Sequence, residues 1–168
     1  VRGVKLVTGF LFQSSQVQSG TETGVFLVSA IPDDTEERNL MIGIQSMALS
    51  DGKLFRRNDE QQVAVGSSVA AEGVFKKRIQ VGSKILIKGR EFHVGGIFKS
   101  TGDPGTDGSV WMSESVMRSL FNVPSLVNTI VVQTSIGEDP LEVAASIERS
   151  LRIFRGVEKG KEDFDIQT

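Results

Sequence analysis

The last third of the chain constrains the fold most, because it predicts a strand, a helix and a second strand in succession. Thr129–Thr134 is rich in β-branched residues, and Asp139 followed by Pro140 is typical of a helix start. The apolar residues of this helix fall on one face, and Gly156 ends it. They are Leu141, Ala144, Ile147, Leu151 and Phe154. Residues 164–167 are predicted to return as a strand, which a right-handed crossover can place parallel to the first.

The preceding residues predict mostly strands. Strands are expected where β-branched and aromatic residues alternate with polar ones or form short apolar runs. These are residues 4–17, 25–31, 62–65, 84–88, 91–98 and 110–112. Gly89-Arg90 joins two of them in a hairpin, and Gly95-Gly96 predicts a bulge or a close backbone approach in its second strand. With the C-terminal third, these strands predict the α+β class.

Short helices are expected between the strands. They are predicted at residues 33–41, 69–75 and 113–121. Ser67 or Ser68 would cap the second helix and Ser113 the third, each by accepting a hydrogen bond from a free backbone N–H. Residues 50–53 are predicted to form a turn, and residues 100–109 a loop, because the loop contains three glycines, one proline and two aspartates.

Composition excludes several classes of protein. A chain of 168 residues with 39% hydrophobic residues can form one domain or two small lobes around a real core. The net charge of -2 argues against a nucleic-acid partner, which would favour a basic surplus. The absence of cysteine excludes disulfides, thiolate metal sites and cysteine nucleophiles. No window approaches the ~20 apolar residues that span a bilayer.

The two ends of the sequence predict that the chain is part of a longer protein. The chain begins with Val1 rather than methionine, and both ends consist of strand-like sequence. Natural termini usually fray into polar tails. We therefore expect flanking segments, which could include membrane spans.

No catalytic constellation is evident. His93 is the only histidine and lies between Phe92 and Val94 in a predicted strand, so it is expected to be an exposed or half-buried strand residue without a nucleophile to activate. Trp111 is the only tryptophan. It could anchor a ligand, although its strand neighbours favour a place in the core. We predict no catalytic, cofactor-binding or metal-binding residues, and the residues that bind substrate or partner are unknown.

Three further patterns have a chemical and a plain structural interpretation. The loop of residues 103–108 resembles a calcium loop only loosely, since it lacks the closing glutamate. Glu36-Glu37 and Glu162-Asp163 could be paired carboxylates of a glycosidase, but solvated acids are far commoner. Gly66-Ser67-Ser68 lies between a strand and a predicted helix, the context of an anion site. It lacks a phosphate-binding motif, so helix capping is the better explanation.

Several short motifs follow one another in a specific order. They are residues 49–55, 63–70, 74–75, 81–87 and 92–97, Asp107 before residues 110–112, and Glu162-Asp163-Phe164. Their order resembles the extracytoplasmic core domain of MacB-like and FtsX-like ABC transporter permeases. In that family a short strand leads into glycine and a helix ending in phenylalanine, and a turn and hairpin follow. The resemblance covers residues 49–168 well and the first 48 loosely.

The resemblance implies two lobes and no catalysis. Residues 1–54 with 127–168 would form a porter-like α/β lobe, and residues 55–126 an inserted β-rich lobe with short helices. The domain would lie outside the cell membrane and couple ATP hydrolysis by a cytoplasmic domain or subunit to export or signalling. The partners implied are the transmembrane helices of the same permease, a second permease copy and the ATP-binding subunit or domain, with an adaptor protein as a further candidate. No cofactor is implied.

Two other hypotheses remain open at this point. The chain could be a free-standing secreted or surface binding module, which would also lack catalytic residues. An enzyme of unfamiliar type would require a deep pocket in which His93 hydrogen-bonds to a carboxylate.

Overall fold

Strands dominate the first 130 residues and helices are short, as the alternation of apolar and polar residues predicts. The computed structural model describes all 168 residues. The strands are β1 (Val4–Phe10), β2 (Phe12–Ser19), β3 (Glu22–Ile31), β4 (Leu49–Gly52), β5 (Gln62–Val65), β6 (Lys84–Ile87), β7 (Arg90–Phe98), β8 (Ser109–Ser113) and β9 (Thr129–Thr134). The helices are α1 (Thr35–Ile44), α2 (Pro104–Asp107), α3 (Glu114–Phe121) and α4 (Pro140–Arg155). The α+β class is confirmed.

The chain divides into two compact units. The terminal unit contains Val1–Thr8 and Val131–Thr168, and the barrel unit contains Gly9–Ile130. The lobes that the resemblance implies have different boundaries, after residues 54 and 126. Residues 9–54 group with the inserted segment because β2, β3 and β4 hydrogen-bond into the same sheet as β5 to β8.

The sheet of the barrel unit closes on itself. Its strand order is β4-β7-β5-β8-β3-β2-β6, and β6 pairs again with β7, so six strands form a ring and β4 lies outside it on β7. The ring is mixed, since β5 is parallel to β7 and β3 is parallel to β8. The other four pairings are antiparallel. Each strand of the ring therefore pairs on both sides, although β2 and β6 share only two residue pairs, Val17 with Ile87 and Gln18 with Leu86.

Side chains along each strand alternate between the inside and the outside of the ring. Val63 and Val65 belong to the core cluster inside the ring, whereas Ala64 between them packs in a second cluster outside it. The predicted bulge in β7 is confirmed: Val63 pairs with Val94 but Ala64 pairs with Gly96, which leaves Gly95 unpaired. The extra residue changes the alternation of β7, and Phe98 therefore packs in the outer cluster.

The predicted helix at residues 69–75 is absent. The segment forms successive turns, in which Val69 and Ala70 donate backbone hydrogen bonds to Gly66 and Ala71 donates to Ser68. The Arg78 Nε donates to the Ala70 carbonyl at 3.0 Å, so a carbonyl that a helix would use is already bonded. Gly73 has φ +83°, which is incompatible with continuing an α-helix.

Two other predictions require a smaller correction. Residues 50–53 were expected to be a turn, but residues up to Gly52 pair with β7 as the short strand β4. The loop of residues 100–109 contains α2, whose first residue is Pro104 and whose capping residue is Asp103. Proline at the first position and an aspartate cap are typical of helix starts, so the short helix was readable from the sequence.

The terminal unit contains α4, residues 4–8 of β1 and residues 131–134 of β9. β1 pairs with β9 in a two-stranded sheet, and α4 has the predicted Asp139 cap, the first-turn Pro140 and the left-handed Gly156. The return strand predicted at residues 164–167 is not formed. Glu162 binds Arg152 and Asp163 binds Arg155, so the segment after α4 follows the helix instead of pairing with a strand.

Candidate functional site

His93 has none of the surroundings of a catalytic histidine. It lies in β7 between its strand neighbours Gln62 and Lys84, and its side chain is 45% exposed. Its Nε2 is 3.6 Å from the Glu91 carboxylate, which is a loose surface contact. The structure records no hydroxyl hydrogen-bonded to its ring. The expectation of a half-exposed strand residue is confirmed.

On the transporter hypothesis that the resemblance implies, we therefore expect His93→Ala to leave transport by a full-length protein containing this chain unchanged, because no reacting group depends on the imidazole. The measurement is substrate efflux or resistance in cells expressing equal amounts of wild-type and variant permease. Lys84→Ala removes the neighbouring partner of Glu91 and serves as a matched surface control. A loss of transport in His93→Ala alone, with the folded domain unchanged, would contradict this prediction.

The paired carboxylates take part in local structure. Glu36 and Glu37 occupy the first turn of α1, where their backbone N–H groups donate to the Asp34 carboxylate at 2.9 and 3.1 Å. Glu162 and Asp163 each bind an arginine of α4. The first pair belongs to the barrel unit and the second to the terminal unit. Neither pair has the arrangement of two carboxylates across a substrate that glycoside hydrolysis requires.

The aspartates of the loop at residues 103–108 bind protein donors. Asp103 accepts from the Thr106 N–H at 2.6 Å. Asp107 is buried, and its carboxylate accepts from the Ser100 hydroxyl at 2.7 Å and from the Thr101 and Gly102 N–H groups at 2.8 and 3.2 Å. No group of three or more histidine and acidic side chains is arranged to hold a metal ion. These carboxylates fix the loop to the start of β8.

Burial by itself raises the pKa of Asp107, but hydrogen bonds from Ser100, Thr101 and Gly102 outweigh it and hold the pKa below the ordinary value of 3.8. A carboxyl whose pKa is lowered by folding stabilises the fold at pH above its unfolded pKa, and this stabilisation is lost as the pH falls through the folded pKa. The acid limb of the stability curve below about pH 3.8 therefore includes a contribution from Asp107.

We expect Asp107→Asn to be less stable than wild type at neutral pH and to lose less additional stability on acidification. The amide oxygen can replace only part of the carboxylate's acceptor capacity, and it does not titrate. Urea unfolding at neutral pH and at pH below the folded pKa measures both effects. Asp51→Asn changes an exposed aspartate and is the control. Equal acid-induced losses in wild type and Asp107→Asn would contradict the prediction.

In the segment Gly66-Ser67-Ser68, two backbone N–H groups donate to backbone carbonyls. The Gly66 N–H donates to the Ser109 carbonyl at 2.9 Å and the Ser68 N–H to the Asp107 carbonyl at 3.0 Å. A Cβ on Gly66 would lie 2.2 Å from the Asp107 carbonyl oxygen and 2.6 Å from that of Thr106. The glycine is therefore required by the close approach of two backbone segments, which the sequence pattern alone does not reveal.

Gly66→Ala should destabilise the chain by ~1–3 kcal/mol or more, because the atoms in the way belong to the backbone and cannot rotate aside. Chemical unfolding followed by circular dichroism measures the loss. Gly43→Ala is the matched control: it lies in α1 and its Cβ would meet nothing within 4 Å. That control is expected to gain ~0.5–1 kcal/mol from helix propensity. Equal stability of the two variants would contradict the close approach.

A second structural carboxylate joins three segments of the barrel unit. Asp33 accepts from the Asn58 N–H at 3.1 Å, the Ser113 hydroxyl at 2.7 Å and the Ser115 N–H at 2.9 Å. Burial by itself raises the pKa of Asp33, but these hydrogen bonds have the larger combined effect and hold the pKa below its ordinary value. Ser113 occupies the predicted capping position of α3 but makes no capping hydrogen bond, because Asp33 caps the helix instead.

The outward face of β3, β2 and β6 carries polar side chains. Gln18 pairs with Thr23 on one side and Leu86 on the other, and Gln16 pairs with Val25. This face borders a shallow cleft of about 340 Å³. It is lined by Ser15, Gln16, Gln18, Thr23, Leu86 and Lys88. The lining offers hydroxyl, amide and ammonium groups and contains no carboxylate, so it can bind a polar or anionic ligand.

The terminal unit exposes large apolar side chains. Ile136 is 99% exposed and Phe154 is 86% exposed. The others in this unit are Val1, Val7, Leu141 and Ile153. Leu141 and Phe154 belong to the predicted apolar stripe of α4, yet the residue of α4 that is fully buried is Val143. None of the helices has the length and apolarity needed to cross a bilayer.

A family model matches most of the chain. The MacB-like periplasmic core domain matches residues 1–150. The chain belongs to the MacB-like periplasmic core domain family. The resemblance inferred from the order of motifs is thereby confirmed. Members of this family are periplasmic domains and not catalytic ones, which agrees with the structural roles found for the carboxylates above.

Known proteins similar to this MacB-like domain include a permease and two extracytoplasmic domains of solved structure. An uncharacterized ABC transporter permease of Methanocaldococcus jannaschii is 28% identical over 169 residues, which is 100% of this chain but 40% of that protein. The periplasmic region of MacB from Actinobacillus actinomycetemcomitans has a TM-score of 0.68 at 15% identity, covering 94% of this chain and 70% of that one. The extracellular domain of the noncanonic ABC-type transporter YknZ from Gram-positive bacteria has a TM-score of 0.70 at 18% identity, covering 95% and 80%.

Proposed function

We propose that this MacB-like domain couples ATP hydrolysis on the cytoplasmic side of a membrane to export or signalling on the other side. The observation that supports the proposal most is the family match over residues 1–150, since domains of this kind belong to transporters. The relative from M. jannaschii is itself named as an ABC transporter permease. In this proposal ATP is hydrolysed by a separate subunit or domain, and the domain has a mechanical role.

The two compact units suit such a role. The barrel unit has a closed ring of strands with a filled core, so it transmits displacement as a stiff body. The terminal unit contains both the first and the last residues of the chain and exposes Ile136, Leu141 and Phe154. Exposed apolar side chains of this size are typical of interaction surfaces. The transmembrane helices of the same permease and a second permease copy are the partners we propose for this unit.

The test uses the absence of cysteine from the chain. Single cysteines introduced by Phe154→Cys in the terminal unit and Val25→Cys in the barrel unit are labelled with an environment-sensitive dye. The full-length permease is reconstituted with its ATP-hydrolysing partner in nanodiscs, after any cysteines elsewhere in it have been replaced. We expect ATP to change the fluorescence of at least one label.

The isolated chain, labelled at the same positions, is the control and should not respond to ATP. A vanadate-trapped complex should hold the fluorescence at a new level, because trapping stops the cycle in one state. Steady ATP hydrolysis without any change in the fluorescence of either label would contradict the coupling role. A response of the isolated chain would show that ATP acts on the domain directly, which would also contradict it.

A further inference from the structure

A strongly basic segment borders the polar cleft, although the chain as a whole is acidic. Residues 74–90 contain six basic residues and no aspartate or glutamate, while the net charge of the chain is -2. Within this segment, Lys84, Leu86 and Lys88 project outward from the end of the ring where Ile85 and Ile87 fill the core. Leu86 and Lys88 line the cleft. Lys88 is therefore the basic residue of this segment that lines the cleft.

Lys88 lacks a carboxylate partner. Arg78, Lys84 and Arg90 each form a salt bridge, with Glu72, Glu91 and Glu60 respectively. Lys88 forms none, and its ammonium lies 5.3 Å from the centroid of the Phe121 ring. A cation held over an aromatic face keeps its charge and remains able to bind an anion. Lys88 is thus the cation of the cleft that an incoming negative charge meets first.

The backbone of Lys88 indicates that lysine is not there for stability. Lys88 and Gly89 have φ +50° and +77° and form the two-residue turn between β6 and β7. Such turns favour asparagine, aspartate or glycine at the first position, because a side chain with a Cβ is strained at positive φ. Strained positions that persist are concentrated at functional sites. Lys88 therefore occupies the first position of a turn that favours asparagine, aspartate or glycine.

The remaining groups of the face suit a peptide. The amide of Gln16 and the hydroxyl of Thr23 can donate to and accept from a peptide backbone. Gln18 and Ser15 offer acceptor oxygens, because the Gln18 Nε2 donates to the Gly20 carbonyl at 2.8 Å and the Ser15 hydroxyl to the Gln16 carbonyl at 3.3 Å. Val25, opposite Gln16, is 70% exposed and offers an apolar contact. No aromatic ring lines the cleft, so it has no stacking platform for a nucleobase.

We propose that the outward face of β3, β2 and β6 binds an acidic peptide segment of a partner protein, with Lys88 binding a carboxylate of the peptide. Charge complementarity selects this partner, because the residues that line the cleft combine the unpaired cation Lys88 with amide groups and include no carboxylate. The neighbouring acid Glu91 pairs with Leu86 across β6 and β7 and forms a salt bridge with Lys84. The proposal does not depend on the coupling role, since it concerns binding by the chain alone.

The experiment measures fluorescence anisotropy of a short fluorescein-labelled peptide of alternating Glu and Val with the 168-residue chain. A peptide of alternating Lys and Val is the matched probe. We expect the acidic probe to bind at low salt and the basic probe not to bind. Lys88→Glu should weaken binding by about tenfold or more, since it replaces an attraction by a repulsion. Lys99→Glu, an exposed lysine elsewhere in the barrel unit, should bind as wild type does.

Lys88→Asn adds a readout that separates function from folding. Asparagine tolerates positive φ, so this variant should melt at a higher temperature than wild type while binding the acidic probe more weakly. Equal weakening by Lys88→Glu and Lys99→Glu would overturn the proposal in favour of unspecific attraction. Failure of the acidic probe to bind, or its displacement by inorganic phosphate at low millimolar concentration, would also overturn it, the latter in favour of a free-anion site.

Discussion

Replacing Trp111 by alanine is expected to lower the free energy of unfolding by ~3–5 kcal/mol, the range for truncating a fully buried aromatic side chain. The side chain is 0% exposed and packs in the outer cluster of the barrel unit. Its ring stacks on Phe10 with centroids 5.9 Å apart and meets the edge of Phe98 at 6.4 Å. Its Nε1 donates to the Thr106 carbonyl at 3.2 Å. Alanine would lose the ring contacts and leave that carbonyl without its donor.

Trp111→Phe separates the two contributions. Phenylalanine keeps an aromatic ring between Phe10 and Phe98 but cannot donate to Thr106, so we expect a loss of ~1–3 kcal/mol. Urea unfolding must be followed by circular dichroism, because Trp111 is the only tryptophan and its fluorescence disappears in both variants. A Trp111→Ala loss no larger than that of Trp111→Phe would show that packing of the ring contributes little.

Local patterns predicted the elements whose partners are near in sequence. The hairpin of β6 and β7 follows from two alternating runs joined by a glycine turn, and α4 follows from Asp139, Pro140 and Gly156. Trp111 was assigned to the core because apolar residues flank it in a strand, although those neighbours face the inner cluster and Trp111 the outer one. Alternation thus identifies buried strands without saying which of two cores each side chain enters.

Closure of the ring could not be predicted in the same way. It depends on β6 pairing with both β2 and β7, and β2 lies more than sixty residues away in sequence. No residue pattern specifies which distant strands meet. For the same reason β4 was read as a turn, since its pairing with β7 spans more than forty residues. These long-range pairings also place residues 9–54 in the barrel unit.

The proposed peptide-binding face shows the same limit. No pattern in the sequence connected Lys88 with Gln16 or Thr23. Only the register of β3, β2 and β6 places a lysine, two amides and an exposed valine on one surface. A lysine before glycine in a hairpin turn was the available signal, because asparagine or aspartate is the favoured residue there.

Phe75 tests the core from a segment whose secondary structure was predicted wrongly. The residues around it form turns and not a helix, yet its side chain is 4% exposed and belongs to the inner cluster. Its ring lies 5.6 Å from that of Phe26, centroid to centroid. The hydrophobic effect favours burial of a phenyl ring in either a helix or a turn, so burial of Phe75 was predictable where the helix was not.

We expect Phe75→Ala to cost ~3–5 kcal/mol, because removing a buried phenyl ring loses its transfer free energy and leaves a cavity. The neighbouring Val74 is 39% exposed and is the matched control. Val74→Ala should change stability by no more than ~0.5 kcal/mol, as is usual for surface positions. Chemical unfolding of both variants under one set of conditions gives the comparison. A loss under ~1 kcal/mol for Phe75→Ala would mean that the turns after β5 move to fill the cavity. The Phe75 side chain would then not be what holds these turns against the ring of strands.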